Sequence, residues 1–499
     1  MQISSKTIPT KSAVPLPDEI IFYISHFLNP REVVQLRLVS RQFSSVTRDA
    51  RLWRALYINS RLPRPPGPFL WQSAHFLERV LSHSTRISQT WTSQPISVVS
   101  CVRGPRIPTK PSPVSTPSDF LFGRLFIWCE SEQLLAQDLE TGVGRLLWES
   151  TEPISSLSAC SLKLPDAERV FIALRLVDEP ISRRTPIKLL EFSLQDDVRL
   201  MLGPPTFQMD LPACANFPLS ASAHLLYFDG CSDRIFGHLC EPIVIDARTM
   251  TIYKFPTFSS HLDTVIHEGL RPWWPGFTLL SGEYIVVFRP WKTPDAAATL
   301  IQAFATPHPS AHLSDADIVQ LRLTHEVLAK RSYAPTHHIR GAVLDPTTGE
   351  ITIRFLSADT RGVETRYLCV DIQIPPIISE STDILPMFVN TQELLVLSGH
   401  HRAIFLDASN DGHGRGIVTL CTSEPPRPAD DPLVLYKFSI DASGEHCTAV
   451  VSEPSKLEPE DVLQYATHCI FDGIRGRICH NRGPRSRSGF YDLMVLNLN

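Results

Sequence analysis

The stretch from Val14 to Tyr57 constrains the fold of this chain most, because it reads as a series of short helices that each carry a start signal. Pro17 opens the first helix, since proline fits the first helical position and its missing N–H costs nothing there. Asp18 and Glu19 follow at the positive end of the helix dipole. Apolar residues then recur at helical spacing and predict one stripe, formed by Ile20, Ile21, Ile24, Phe27 and Leu28.

Three further helices are predicted from residues that cap helix N-termini. Asn29 precedes Pro30 and Glu32, which gives the pattern of a capping box. Ser40 and Asp49 can cap a third and a fourth helix. The apolar residues of these helices are Val33, Val34, Leu36, Val39, Phe43, Val46, Leu52, Trp53, Leu56 and Tyr57. The stretch therefore predicts a small all-α module.

This module resembles the F-box, which docks on the Skp-type adaptor of cullin–RING ubiquitin ligases. The matching residues are Leu16-Pro17-x-Glu19-Ile20, Ile24, Leu28, Val33, Leu36, Val39-Ser40-Arg41, Phe43 and Leu52-Trp53-Arg54-x-Leu56. One departure is Val33-Val34, where the family commonly has an acidic residue followed by leucine. The alternative interpretation is an ordinary helical hairpin that caps a larger domain.

The resemblance implies that the module binds an adaptor and that catalysis resides in other subunits. The residues it assigns to adaptor binding are Leu16, Pro17, Ile20, Ile24, Leu28, Val33, Leu36, Val39, Ser40, Phe43, Leu52 and Trp53. The overall plan looks like fungal F-box proteins that carry a divergent WD-like C-terminal region, which implies a substrate receptor.

Composition limits the possible classes of protein. The chain has 499 residues, enough for two or three folding units, and its formal net charge of -5 does not predict general binding to nucleic acid or an anionic membrane. Its apolar runs fall short of the roughly 20 residues that a membrane span needs. The 11 cysteines are scattered without a CxxC clip, and no N-x-S/T glycosylation acceptor occurs. These features predict a cytoplasmic or nuclear protein.

The predicted organisation has four parts. Residues 1–13 form a polar tail, and residues 14–60 form the F-box. Residues 61–90 form a proline-rich spacer followed by an amphipathic helix from Phe69 to about Gln89, which fixes the angle between the two domains. Residues 91–499 form a β domain that binds a target, with a proline-rich loop predicted from Gly104 to Pro117.

The β domain is predicted from short apolar runs bounded by Gly, Pro, Asp or Ser. An aspartate-led tight turn recurs at Asp138, Asp246, Asp345 and Asp407, with degenerate copies near Phe192 and Phe471. Taken together, these copies recur about every 50 to 65 residues with one double gap. This repeat favours a β-propeller of about six blades, and the alternative is two packed β-sandwiches. The double gap falls on residues 291–338, interpreted as a specificity insert on the rim or as a tolerated surface insertion.

Catalytic signatures are missing from the sequence. It contains no Gly-x-Ser-x-Gly elbow and no HExxH, and the glycine-rich run from Gly412 to Gly416 lacks the context of a phosphate-binding loop. We therefore predict a non-enzymatic chain with no catalytic residue, metal or cofactor. An adaptor-bound scaffold without ubiquitin transfer and a propeller hydrolase remain as alternatives.

Two clusters are candidates for binding the target. The first is a set of arginines in a Gly/Ser/Pro-rich stretch near the C-terminus: Arg475, Arg477, Arg482, Arg485 and Arg487. Guanidinium groups suit carboxylates and phosphates because they donate two hydrogen bonds at once. The second is the pair Trp273-Trp274. The alternatives are a solvated loop for the arginines and core filling for the tryptophans.

Overall fold

The structure is a computed structural model that describes residues 16–64, 67–68, 72–91 and most of 98–498. The longest gaps in the last range are 109–117, 177–186, 257–277, 307–317, 422–432, 458–465 and 483–489. The polar tail, Arg475, Arg485, Arg487 and the Trp273-Trp274 pair lie outside the described residues.

Five helices precede the strands. They are α1 (Asp18–Ser25), α2 (Pro30–Leu36), α3 (Arg41–Val46), α4 (Ala50–Asn59) and α5 (Ala74–Thr90). The first helix begins one residue later than predicted, because Pro17 has extended backbone angles and stands at the N-cap. The linker helix α5 begins at Ala74 because the Ser73 side chain caps it. Within the described residues, no helix is both long enough and apolar enough to span a bilayer.

The predicted helix caps are confirmed. Asn29 Oδ1 accepts hydrogen bonds from the backbone N–H groups of Arg31 and Glu32, each at 3.0 Å. The Glu32 carboxylate in turn accepts from the Asn29 N–H at 2.8 Å, which completes the capping box. Ser40 and Asp49 cap α3 and α4 through their side chains. Each cap joins a side chain to a backbone N–H group two or three residues later, so the sequence alone is enough to predict it.

Strands follow the helices in the described part of residues 98–498. Those of the first half are β1 (Val98–Pro108), β2 (Ser118–Leu121), β3 (Leu125–Glu130), β4 (Gln133–Asp138), β5 (Gly144–Glu149), β6 (Ile154–Lys163), β7 (Glu168–Leu176), β8 (Ile187–Asp196), β9 (Met201–Leu211), β10 (Asn216–Ser222), β11 (Leu225–Asp229), β12 (Ser232–Asp233), β13 (His238–Leu239), β14 (Ile243–Asp246) and β15 (Thr251–Lys254). Those of the second half are β16 (Thr278–Leu280), β17 (Tyr284–Lys292), β18 (Ala297–Ala305), β19 (Ile318–Gln320), β20 (Arg322–Ala329), β21 (Ala334–Leu344), β22 (Ile351–Arg361), β23 (Glu364–Ile374), β24 (Leu385–Pro386), β25 (Phe388–Ser398), β26 (His400–Ala408), β27 (His413–Cys421), β28 (Leu433–Asp441), β29 (Thr448–Val451), β30 (Ser455–Leu457), β31 (Ala466–Asp472), β32 (Arg477–Arg482) and β33 (Phe490–Leu498).

The described strands form seven sheets of four or five strands and one small hairpin, β12-β13. Sheet I is β2-β3-β4-β5, sheet II is β6-β7-β8-β9, and sheet III is β10-β11-β14-β15 with β19 added in parallel. Sheet IV is β16-β17-β18-β20 with β24 added, sheet V is β21-β22-β23-β25, and sheet VI is β26-β27-β28-β29 with β30 beside β28. Sheet VII is β31-β32-β33 completed by β1. The main body of each sheet is an antiparallel meander, to which β19 and β24 are added in parallel and β1 is added from the start of the β domain.

Strands in the middle of these sheets bury both faces. In β7, Val170, Ile172 and Leu174 pack toward sheet I, whereas Phe171 and Ala173 pack toward sheet III. All five side chains are fully buried. Since successive strand residues point to opposite faces, a strand between two neighbouring sheets must be apolar at every position. This is why the sequence shows continuous apolar runs where a half-exposed sheet would show alternation.

The sheets pack against one another in chain order, and the first strand of the β domain pairs with its last. Apolar clusters join sheets I and II, II and III, III and IV, IV and V, and V and VI. The first strands of sheets VI and VII, β26 and β31, contact each other. The early strand β1 pairs with the last strand β33, from Val98 beside Leu498 to Pro108 beside Phe490. This arrangement is a β-propeller, as predicted, and excludes two packed sandwiches.

The spacing of the aspartate turns explains the difference between about six predicted blades and seven observed sheets. Asp138 and Asp246 stand between the third and fourth strands of sheets I and III, whereas Asp345 and Asp407 stand between the first and second strands of sheets V and VI. Asp345 accepts from the Thr347 N–H at 2.8 Å. Such a bond stabilises any tight hairpin. The repeat therefore marks hairpins rather than equivalent places in successive blades.

Two predicted surface segments are strands. The described parts of residues 291–338 supply β18, β19, β20 and the start of β21, so the double gap contains strands of the blades rather than a surface insert alone. Ile301 and Ala303 of β18 lie in the core between sheets IV and V. Gly104 to Pro108, predicted as a loop, belong to β1. Short apolar runs that are interrupted by proline give no clear strand pattern, so the sequence does not predict these strands.

Candidate functional site

An apolar surface on α1 is the most distinctive feature of the helical module. We call it the α1 face; its residues are Leu16, Ile20, Tyr23, Ile24 and Phe27. Their relative exposure lies between 40% for Ile24 and 73% for Phe27. Leu38 and Val39, in the α2–α3 connection, are 89% and 66% exposed. Burying such side chains in a partner would remove substantial apolar area from water.

Packing on the opposite side of α1 presents this face. Ile21 and Ser25 are fully buried, and the Ser25 hydroxyl donates to the Ile21 carbonyl oxygen at 2.8 Å. The Gln42 amide in α3 donates to Asp18 Oδ1 at 2.7 Å and also to the Leu16 carbonyl oxygen, which fixes the start of α1. The predicted single stripe therefore divides: Ile21 turns inward, and most of its neighbours stay in solvent.

The residues predicted to bind the adaptor fall into three groups. The exposed ones are Leu16, Pro17, Ile20, Ile24, Val39 and Ser40. The partly exposed ones are Leu28, Leu36 and Phe43. Val33, Leu52 and Trp53 are fully buried in the module's own core. Sequence reasoning placed Phe27 in the stripe and did not select Tyr23 or Leu38. A helical wheel gives no signal for them, because their exposure depends on where α3 and α5 pack.

The core of the module includes the linker helix α5. Trp53 and Tyr57 of α4 pack with Leu77, Val80 and Leu81 of α5. This shared core means that the F-box region and the start of α5 bury one apolar surface between them. Helices this short gain most of their stability from such packing, since isolated short helices are marginal in water.

Arg37 ties α5 to this core with charge-assisted bonds. Its guanidinium donates to both carboxylate oxygens of Glu78, each at 2.8 Å, and to the Thr47 carbonyl oxygen at 2.9 Å. The Trp53 indole N–H donates to the same Thr47 carbonyl at 2.8 Å. Bidentate arginine–carboxylate pairs restrict orientation as well as adding energy, so α5 is held at one angle.

The other end of α5 is attached to sheet VI. Arg415 of β27 is 2% exposed and donates to the Ser84 carbonyl oxygen at 2.7 Å and to the Ser88 hydroxyl. The Trp91 indole N–H donates to the Phe438 carbonyl oxygen at 2.9 Å. Lys437 lies 5.1 Å from the centre of the Trp91 ring, and its burial lowers its pKa to about 8. The helix thus bridges the two regions.

The structure separates the described members of the arginine cluster. Arg477 is partly exposed at the start of β32, and Arg482 ends the same strand. Their Cα atoms are therefore about 16 Å apart, from the rise of a strand. They are predicted to lie in one loop, and the structure places them in a strand of sheet VII. Their role in binding a target stays a prediction.

Two buried carboxylates in the described sheets of the β domain are paired with arginines. Arg124 and Asp138, each 2% exposed, pair through Arg124 Nε at 2.6 Å. Burial raises the pKa of Asp246, but hydrogen bonds from Arg248 outweigh it and hold that pKa below its ordinary value. Burial raises the pKa of the Cys129 and Cys160 thiols, which disfavours the reactive thiolate. Among the described residues, no group of three or more His, Cys, Asp or Glu could hold a metal ion.

The match to a known protein family falls in the helical region of the chain. Residues 15–59 match the family model described as F-box-like. A comparison with curated protein sequences finds no match. The F-box match covers the region in which the α1 face and the capped helices occur. An F-box domain indicates an adaptor-binding role.

Three solved structures resemble the chain over most of its length. A chain in the crystal structure of the mitotic checkpoint complex has 8% identity and a TM-score of 0.35, covering 80% of this chain and 94% of that one. The tricorn protease has 12% identity and a TM-score of 0.38, covering 79% and 34%. The N-terminal domain of Nup159 has 11% identity and a TM-score of 0.30, covering 81% and 96%. Scores this low add nothing to the fold, which rests on the strand pairing. Residues 15–59 form an F-box-like domain, and this chain joins that domain to a β-rich domain.

Proposed function

We propose that this chain is the substrate-recognition subunit of a cullin–RING ubiquitin ligase. Its F-box-like domain docks on a Skp-type adaptor, and its β domain binds a protein target. The observation that carries the proposal is the α1 face, a set of large apolar side chains left in solvent within the domain that matches the F-box family. F-box proteins are typically non-catalytic receptors, and catalysis resides in the other subunits.

The bridge formed by α5 supports a role in positioning. Its shared core with the F-box-like domain and its bonds to Arg415 hold the adaptor-binding end and the target-binding end at a defined distance. Ubiquitin transfer depends on bringing a target lysine near the subunit that carries activated ubiquitin. A rigid spacer in the receptor helps to hold the target at that place. A flexible linker would lower the effective concentration of the target.

The α1 face can be tested in the full chain with the purified adaptor. We expect the double variant Leu16→Ala/Ile20→Ala to lose more than tenfold in adaptor affinity, because an interface anchor contributes about 2 kcal/mol or more. The matched control is Ile58→Ala, which removes a side chain that is 61% exposed outside the α1 face. Isothermal titration calorimetry measures both. Equal affinity in the double variant and the control would refute docking through this face.

A second experiment separates a ligase receptor from an adaptor-bound scaffold. The intact chain and the variant Leu16→Ala/Ile20→Ala are used for affinity purification, and proteins lost with the α1 face are identified. Targets that bind both forms are then offered to a reconstituted ligase. We expect ubiquitin transfer with the intact chain. Cullin association without transfer to any such target would favour the scaffold.

The arginines near the C-terminus are proposed as one part of the target site. Substituting glutamate at Arg482, Arg485 and Arg487 should release an acidic target while adaptor binding persists, since like charges repel across such an interface. Retention of the same targets by this triple variant would place recognition elsewhere on the β domain.

A further inference from the structure

A groove between α2 and α5 lies apart from the α1 face. Its volume is about 520 Å³, and Arg31 and Gln35 from α2 form one wall. The other wall comes from one stripe of α5, at positions His75, Arg79, Ser82 and Arg86. These positions follow one another at spacings of four, three and four residues, so they lie along one side of the helix.

The charge of this groove is strongly positive. Three of its lining residues are arginines, and two more are histidines. Among the described lining residues, the one carboxylate belongs to Glu78, and Arg37 from outside the lining already binds both of its oxygens. Arg31, Arg79 and Arg86 are all exposed. A cluster of three guanidinium groups on a chain with a formal net charge of -5 is a local attractive site for anions.

One polar atom in the groove makes no hydrogen bond. The Oγ atom of Ser82 is buried, yet it has no hydrogen-bond partner among the described residues. A buried hydroxyl without a partner is costly, and most such groups in folded proteins are satisfied. A ligand that carries oxygen atoms could accept a hydrogen bond from Ser82 while the arginines bind its charge.

The length of the groove indicates what kind of anion fits. From His75 to Arg86 the helix advances about 16 Å, at about 1.5 Å per residue. An extended peptide covers that distance with about five residues, whereas one phosphate would reach a single arginine or two. Carboxylates at alternate positions of an extended segment point to one side, because strand residues alternate.

We propose that this groove binds an extended acidic segment of a partner protein, with its carboxylates against Arg31, Arg79 and Arg86. The groove lies between a helix of the F-box-like domain and the helix that bridges to sheet VI. An acidic segment bound there would contact both α2 and α5. It would therefore strengthen the junction that Arg37 and Glu78 already hold.

The test uses the full chain and a fluorescein-labelled peptide of alternating Glu and Gly, about ten residues long. A peptide with Gln in place of Glu is the ligand control. Fluorescence anisotropy should show that the Glu peptide binds, that the Gln peptide does not, and that raising NaCl from about 50 to about 300 mM weakens binding through screening. Equal binding of both peptides would overturn the proposal.

Matched variants locate the binding. We expect Arg79→Gln/Arg86→Gln to weaken binding of the Glu peptide at least about tenfold, since charge-assisted bonds to two guanidinium groups are lost. The control Arg48→Gln/Arg61→Gln removes two other exposed arginines and should leave affinity within about twofold. Circular dichroism confirms that both variants fold. Equal affinities of the two variants would place the peptide elsewhere.

Two further outcomes distinguish the possible ligands and sites. Complete displacement of the peptide by about 1 mM inorganic phosphate would identify a general small-anion site and overturn the peptide proposal. Adaptor capture by Arg79→Gln/Arg86→Gln should equal that of the intact chain, whereas Leu16→Ala/Ile20→Ala should keep peptide affinity. A failure of adaptor docking through the α1 face would therefore not refute peptide binding in the groove. A failure of peptide binding in the groove would likewise not refute adaptor docking.

Discussion

The F-box-like domain and the β domain treat their apolar residues in opposite ways. Of the 17 large apolar side chains that the described structure leaves exposed, eight lie between Leu16 and Ile58, and nine are spread over the whole β domain. In β7, by contrast, five consecutive residues are fully buried. The small domain leaves part of its apolar surface in solvent, whereas the described strands of the propeller bury most of theirs between neighbouring sheets.

This difference follows from how each region is stabilised. A helix of six to ten residues buries one stripe and leaves the rest of its surface available. A blade is covered by a neighbour on each face, so both faces are committed to folding. A short helical domain can therefore offer an apolar docking surface more readily than a blade can.

The largest effect is expected from emptying the two cores. Trp53→Ala should destabilise the helical region by about 3–5 kcal/mol, and Phe171→Ala should cost the β domain a similar amount, because both side chains are fully buried. Hydrogen exchange should show faster exchange in α1–α4 for the first variant and in β7 for the second. Faster exchange in both regions for either variant would mean that they unfold as one unit.

A smaller effect is expected at the bridge between the regions. Arg415→Ala removes its bonds to Ser84 and Ser88, and hydrogen bonds of a charged group contribute about 1.5–3 kcal/mol. Residues 84–91 should then become more sensitive to limited proteolysis. Arg366→Ala, which breaks two half-exposed ion pairs, is the control and should change stability by less than about 0.5 kcal/mol. Equal protection of α5 from proteolysis in both variants would contradict the role of Arg415 in attaching α5 to sheet VI.

The smallest effect is a pH dependence at the same junction. Burial lowers the pKa of Lys437 to about 8, from an ordinary value of 10.5. Between these values the unfolded chain binds more protons than the folded protein, so this group makes stability rise with pH. The melting temperature of the intact protein relative to Lys437→Met should therefore increase from pH 8 to pH 10. A difference between the two proteins that stays flat over this pH range would disprove the assignment to Lys437.

Sequence reasoning succeeded where structure is encoded over a few residues. Asn29, Ser40 and Asp49 were identified as caps because a side chain and its backbone donor lie within three positions. The F-box resemblance rested on the same local signals. The aspartate turns were also recognised, but their place in a blade was not, since Asp138 and Asp345 close different hairpins.

Sequence patterns are less informative where burial depends on distant packing. Leu52 and Trp53 are predicted adaptor-binding residues, and the structure buries them in the module's own core, where α5 covers them from more than 20 residues away. Arg415 lies in the glycine-rich run from Gly412 to Gly416, and its partner Ser84 lies 331 positions earlier. No pattern within a helix or a strand reports which element will cover it. Such contacts require the assembled fold.

Pairing of β1 with β33 also has a consequence for synthesis. About 380 residues separate Pro108 from its partner Phe490, so a ribosome adding 5–20 residues per second exposes β1 for about 20 to 75 s before β33 emerges. An unpaired strand edge is a template for aggregation. The sequence of β1 contains Pro105 and Pro108, and its register shifts between Arg103 and Arg106. Prolines, charges and an irregular register weaken mispairing. The features that make this strand look like a loop in the sequence therefore also oppose its aggregation before β33 is synthesised.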